Sequence, residues 1–202
     1  MSPRTEEQFE EIRESRKMEI MNNALELFAN YGYHTTSISN ISEKAGISKG
    51  LLYNYFSSKE ELLKSIIDEG IKQISSPIDP NKDGILTEEE FVYYIDEVFE
   101  LMAKDTVYYK LYFSLLLQPG IFEKFFEKLK RMLSDFSSLL VPFFKMKGIP
   151  NPEEEVYFFG AILDGLGLYY INEPRQFPLD KMKRRILKMY QINPEDHYRA
   201  GK

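Results

Sequence analysis

Apolar residues in this chain recur at steps of three and four, and no stretch alternates with the period of two that a strand on a single core requires. That periodicity, broken by Gly, Pro and Ser/Thr clusters, restricts the fold to helices packed on helices. Phe9, Ile12, Ile20, Ala24, Leu27 and Phe28 form the first stripe. Gly32 can take a positive φ, so the first helix is predicted to stop near Asn30. Thr35, Thr36 and Ser37 offer N-caps for a short helix to Ala45, ended by Gly46, and Ser48 opens a second to about Phe56. Ser57 and Ser58, each followed three residues on by a glutamate (Glu60, Glu61), start a fourth helix reaching about Ile74. The Ser-, Pro-, Asp- and Asn-rich run 75–84 is a loop. Thr87 with Glu90 begins the next helix, to about Lys104. Further helices are expected over 105–118, 121–147, 152–171 and 179–191, divided by Pro119-Gly120, Gly148-Ile149-Pro150 and Glu173-Pro174, and Pro142 is expected to kink or split the second of them. The prediction is an all-α chain of nine or ten helices, with an N-terminal domain at 1–60 and a larger helical domain at 61–202.

Composition narrows the chemistry. The chain has 202 residues, no Cys and two His, which excludes disulfides, thiol catalysis and thiolate metal sites and leaves little room for a His-rich one. Neither His34 nor His197 has a nucleophile–base context, and there is no Gly-rich phosphate loop, so an enzyme is not expected. The net charge of −6 argues against a protein that coats nucleic acid by bulk charge, but not against a small basic surface. The longest apolar run, 158–171, is 14 residues and contains Asp164, short of the ~18–20 a membrane helix needs. The first 15 residues carry five Glu and two Arg without an apolar run, unlike a targeting peptide. A cytoplasmic protein with no membrane contact is the expectation.

Residues 36–56 hold the sharpest signal. Two helices of about eight residues are joined by Ala45-Gly46-Ile47-Ser48, the short Gly-containing connection of a helix-turn-helix. Ile38, Ile41, Ile47 and Leu51 are placed to form its core. The second helix exposes Lys49, Gly50, Tyr53 and Asn54, groups able to reach bases and phosphates in a major groove. From Tyr33 to Lys59 there are three Lys and one Glu, a local charge of +2.

The run Ala24-Leu25-Glu26-Leu27-Phe28, Gly32-Tyr33, Thr36, Asn40-Ile41-Ser42, Ala45-Gly46-Ile47-Ser48-Lys49-Gly50, Tyr53, Tyr55-Phe56 and Ser58-Lys59-Glu60-Glu61-Leu62 resembles the DNA-binding domain of TetR/AcrR-type transcriptional regulators over about 50 residues. Asn23 and Ser42 depart from that pattern, where the family usually has Ala. The resemblance implies that Thr36 touches a phosphate with its hydroxyl, backed by helix amides, and that Ser48 caps the reading helix. It also implies that Lys49 and Gly50 face bases, Tyr53 a phosphate or thymine methyl, and Tyr55 a phosphate. Lys59 would bind the DNA backbone, and His34 would join the phosphate contacts.

Two features lie outside that domain. Asp79-x-Asn81-x-Asp83-Gly84-x5-Glu90 fits the loop of an EF-hand, with side-chain oxygens from Asp79, Asn81, Asp83 and Glu90 and the carbonyl of Ile85, so Ca2+ is one reading. The plainer one is a turn leading into a Thr87–Glu90 capping box, since Pro77 breaks any entering helix and no second loop exists to pair with. No other cofactor is indicated. Beyond residue 87 aromatics are dense enough to line a cavity for an apolar or aromatic small molecule as well as to pack a core. Met102, Tyr109, Tyr112 and Phe113 are the candidate lining residues.

Gly160, Ala161, Gly165 and Gly167 on one helix, with the Leu179, Met182, Ile186 and Met189 stripe of the next, suggest a two-fold four-helix interface between copies near 152–171 and 179–191. Asp164 amid them needs a partner. The tail from 174 carries eight Lys/Arg against three acids, +5, read as the solvated face of that last helix. The function implied is a ligand-responsive regulator: a dimeric repressor on a pseudo-palindromic double-stranded DNA operator, released by an apolar effector. A calcium-responsive module is the alternative.

Overall fold

The computed structural model describes residues 5–104, 106–116 and 122–198, without the side chains of 112, 115, 116, 122, 124 and 198. Among them there is no strand; there are ten α-helices. They are α1 Glu6–Tyr31, α2 Ile38–Lys44, α3 Lys49–Tyr55, α4 Lys59–Ser75, α5 Glu88–Lys104, α6 Thr106–Leu116, α7 Phe122–Met146, α8 Pro152–Asn172, α9 Leu179–Met189 and α10 Pro194–Tyr198, with one 3-10 turn at Ser76–Ile78. The fold is all-α as expected. The turn at Pro119-Gly120 and the helix ends placed at 105, 118 and 121 lie outside the described residues. The chain divides into two compact units, Met1–Gly70 and Ile71–Lys202.

In the first unit the helix ends follow from local chemistry. Thr5 accepts from the Gln8 amide at 3.3 Å while the Gln8 side chain accepts from the Thr5 amide at 3.2 Å, a capping box that starts α1. Ser37, the third of the three candidate caps, starts α2 in the same way with Asn40. Gly46 ends it: its φ of +64° lets the Gly46 amide reach the Glu43 carbonyl and the Ile47 amide reach that of Ser42. The core is Ile20, Ala24 and Phe28 of α1, Ile41 of α2, Leu52 and Phe56 of α3 with its cap, and Leu62, Leu63 and Ile66 of α4. Phe9 and Ile12 do not join it. They are 57% and 46% exposed, because α1 runs several turns beyond the short helices it packs against.

In the second unit α8 packs against α7, α6, α5 and α9, and α5 against α9. Phe91, Phe143, Phe144, Phe159 and Tyr190 interlock at its centre, with Phe91 stacked on Phe143 at 4.6 Å and Phe144 on Tyr190 at 4.9 Å. The Tyr190 hydroxyl donates to Glu155 at 2.8 Å, tying the end of α9 to α8. α7 is one continuous helix through Pro142, not two. Loss of the residue-142 amide and its ring clash cost about 3 kcal/mol, yet Leu140, Phe143 and Phe144 beside it are all buried, and each such side chain contributes about 1.5–3 kcal/mol. α10, not foreseen, sits on α9, and His197 within it lies 3.6 Å from Glu88, which also pairs with Lys147. No helix among the described residues is long and apolar enough to cross a membrane.

Candidate nucleic-acid interface

Ser48 accepts from the Leu51 amide at 3.1 Å and starts α3. Leu52 and Phe56 point inward and fix the helix on its unit. Ser48, Lys49, Gly50, Tyr53 and Asn54 are exposed, and Tyr55, on another side of the short helix, is half-buried. His34 is exposed too. Leu51, expected in the core, is 39% exposed: Leu52 takes the inward position instead. Two adjacent leucines in a seven-residue helix cannot both face the core, and periodicity over so short a run does not choose between them.

Two expected phosphate ligands are turned inward. Thr36 is only 3% exposed, and its hydroxyl donates to the Gly32 carbonyl at 2.8 Å. The Lys59 ammonium donates to the carbonyls of Tyr33 and Thr36 at 2.8 Å each, reaches that of His34 at 3.5 Å, and stands 4.4 Å above the Tyr33 ring. Partial burial lowers its pKa. It fastens the start of α4 to the turn between α1 and α2. Lys44 is paired with Glu26 at 2.9 Å, which leaves Lys49 as the lysine of the +2 segment on the α3 outer face.

The Asp79–Glu90 loop uses its oxygens on its own backbone. Asp79 accepts from the Asp83 and Gly84 amides at 3.2 and 3.1 Å, Asn81 from the Asp83 amide at 3.0 Å, and Asp83 from the Ile85 amide at 2.8 Å. Glu90, expected as a bidentate ligand, instead accepts from the Thr87 amide at 2.9 Å and completes the capping box of α5. Ile85 is an exposed loop residue. Among the described residues no three His, Cys, Asp or Glu side chains come together as a metal site.

In the second unit Met102 and Tyr109 are buried and Phe113 half-buried; the Tyr112 side chain lies outside the described residues. A Cβ on Gly167 would stand 3.2 Å from two atoms of the Tyr109 ring, so this glycine lets α6 lie close on α8 within the chain. Burial raises the pKa of Tyr109 and of Tyr94, with Asp164 adding to both. Gly160 and Gly165 have open space where a Cβ would be, and Gly165 lies on a face where Tyr157, Phe158, Ala161, Leu168 and Tyr169 are exposed. Of the α9 stripe, Ile186 is buried within the unit, Leu179 and Met182 are half-buried and Met189 is exposed.

Residues 20–66, which hold this surface, match the family of bacterial regulatory proteins of the tetR type. A transcriptional regulator of the TetR/AcrR type from Aquifex aeolicus VF5 is 29% identical, superposes with a TM-score of 0.69, and is covered over 98% of its length by 86% of this chain. Residues 20–66 are a tetR-family domain. The chain is also 33% identical over 89 residues, 44% of its length, to the fatty acid metabolism regulator protein of Bacillus subtilis (strain 168). That match covers 46% of the relative; the chain spans about half the length of the curated relatives it matches first. The regulator FadR of Bacillus subtilis, solved in complex with stearoyl-CoA, shares the fold: TM-score 0.71 at 22% identity, over 86% of this chain and 96% of that one.

Proposed function

We propose that this protein is a homodimeric repressor of the TetR/AcrR type that binds a pseudo-palindromic operator in the cytoplasm and is released by an apolar effector. The exposed side of α3 carries the reading: Ser48, Lys49, Gly50 and Tyr53, with the half-buried Tyr55, are the DNA-contacting set, held in place by Leu52 and Phe56 beneath. The first unit, Met1–Gly70, is the DNA-binding domain, its boundary lying beyond residue 60 because Leu62, Leu63 and Ile66 of α4 belong to its core, and the second, Ile71–Lys202, holds the effector and the dimer contact. The exposed apolar face of α8, with its small residues at Ala161 and Gly165, meets the same face of a second copy, joined by α9. Met102, Tyr109 and Phe113 on α5 and α6 border the effector.

A long acyl chain is the favoured effector class, supported by the resemblance to a fatty acid metabolism regulator and by the fold shared with a protein solved with stearoyl-CoA. An effector lowers operator affinity only by as much as it prefers the non-binding state.

Mobility shift at physiological salt, with duplexes enriched from a random-sequence pool, tests the reading. Sequence-specific retardation is expected, lost in the double variant Lys49→Ala, Tyr53→Ala and weakened by added stearoyl-CoA. Folded protein that retards every duplex equally weakly would end it.

A further inference from the structure

The outward face of α3 is not wholly polar. At 3.6 residues per turn, the inward pointing of Leu52 and Phe56 puts Gly50, Leu51 and Asn54 on the opposite side, with Lys49 and Tyr53 along one flank. Leu51 therefore projects from the middle of the surface proposed to enter the major groove. A lone exposed leucine on a protein surface is ordinary. One on a groove-facing helix is different, because base edges there are hydrogen-bond donors and acceptors that lose water when an apolar group covers them. The thymine C5-methyl is the one apolar group the groove offers.

Gly50 adds to this. Its position has no side chain, and a Cβ there would find only Ser48 Oγ, at 3.9 Å. The helix backbone can thus approach the bases closely enough for a four-carbon side chain to reach the methyl layer.

We infer that Leu51 is a specificity-determining residue, packing on the methyl of a thymine in each operator half-site. This rests on the DNA-reading function proposed above. Asn54, three residues on and exposed, carries the amide that matches an adenine edge, so the same face favours A·T steps.

The test deletes the methyl and nothing else. In duplexes enriched by the wild-type protein, each thymine is replaced in turn by deoxyuridine, which keeps the pairing and every hydrogen-bonding group. One position per half-site should weaken binding about fourfold, the loss expected for one buried methyl. Leu51→Ala should bind the thymine duplex more weakly and abolish the thymine–uracil difference at that position alone. Lys49→Ala should keep the difference while weakening both duplexes. Leu51→Gln, selected on the same pool, should no longer enrich thymine there, and unchanged thermal midpoints establish that the variants are folded. A thymine–uracil difference that survives Leu51→Ala at every position overturns the inference, as does specific binding indifferent to every deoxyuridine. Failure of the wild-type protein to enrich any sequence overturns the DNA-reading function itself, and this inference with it.

Discussion

An ammonium group has three N–H donors, and at Lys59 the carbonyls of Tyr33, Thr36 and His34 face them, with the Tyr33 ring beneath. A cation held in this way orders the protein before any DNA arrives. Lys59→Met should therefore lower the thermal midpoint and weaken operator binding while leaving the slope of log K against log salt at its wild-type value. Lys49→Ala should instead flatten the slope by about 1.8, one lost cation (about 0.9) in each half-site of the proposed dimer. If Lys59→Met flattens the slope equally, the lysine is a phosphate ligand after all. Glu61 offers a pH test at the same scale. Its carboxylate accepts from the Ser57 amide and hydroxyl at 2.5 Å each, which holds its pKa below the ordinary 4.5. A folded pKa below the unfolded one gives stability that is present above the unfolded value and lost as pH falls through the folded one. The difference in midpoint between wild type and Glu61→Gln should thus be full at neutral pH and shrink below pH 4.5.

At the scale of elements, three helices end in one pattern. α2 and α7 stop at Gly46 and Gly148, with φ of +64° and +73°, and α9 stops at Gln191 with φ of +58°. In each, the last two amides reach back to carbonyls of the final turn. A left-handed conformation costs a residue with a Cβ roughly 1 kcal/mol or more, so Gln191→Gly should stabilise the protein by about that amount in denaturant titration. Capping was the most legible part of the sequence, because a cap is a local event: Ser48, Ser37 and Thr87 with Glu90 all act where their spacing placed them. What stayed illegible needs knowledge of a neighbour. Periodicity marks Leu51 and Leu52 alike, and only the packing of α3 decides which is inward. Thr36 and Lys59 sit in the family's pattern, yet their donors find carbonyls of the α1–α2 turn, contacts between residues up to 26 apart in sequence.

The glycines of α8 divide in the same way. Gly167→Ala presses on the buried Tyr109 ring and should destabilise by about 1–3 kcal/mol, despite alanine's better helix propensity. Gly165→Ala meets open space in the single chain and should stabilise it by up to about 1 kcal/mol, unless a second copy covers that face. Urea titration of both variants across protein concentrations separates the two outcomes.

For the whole molecule the question is how a chain of net charge −6 holds a polyanion. The cations of the first unit are largely engaged: Lys44 by Glu26, Lys59 by carbonyls, while Lys49 stands outward on α3. One such surface contributes too little charge for tight binding alone, so useful affinity demands two surfaces acting together. That requirement gives the apolar face of α8 its meaning. Phe158 is 54% and Leu168 45% exposed, large apolar groups in register with Ala161 and Gly165 on one helix side. The double variant Phe158→Glu, Leu168→Glu places like charges where two copies are proposed to meet and leaves every residue of α1–α3 unchanged. It should stay helical by circular dichroism, sediment as a monomer, and lose operator affinity by two orders of magnitude or more, since each half-site is then bound without its tethered neighbour. Sedimentation velocity and mobility shift on the same preparation decide it. A variant that remains dimeric would remove α8 from the interface, and a monomer that keeps full affinity would mean that a single reading head suffices.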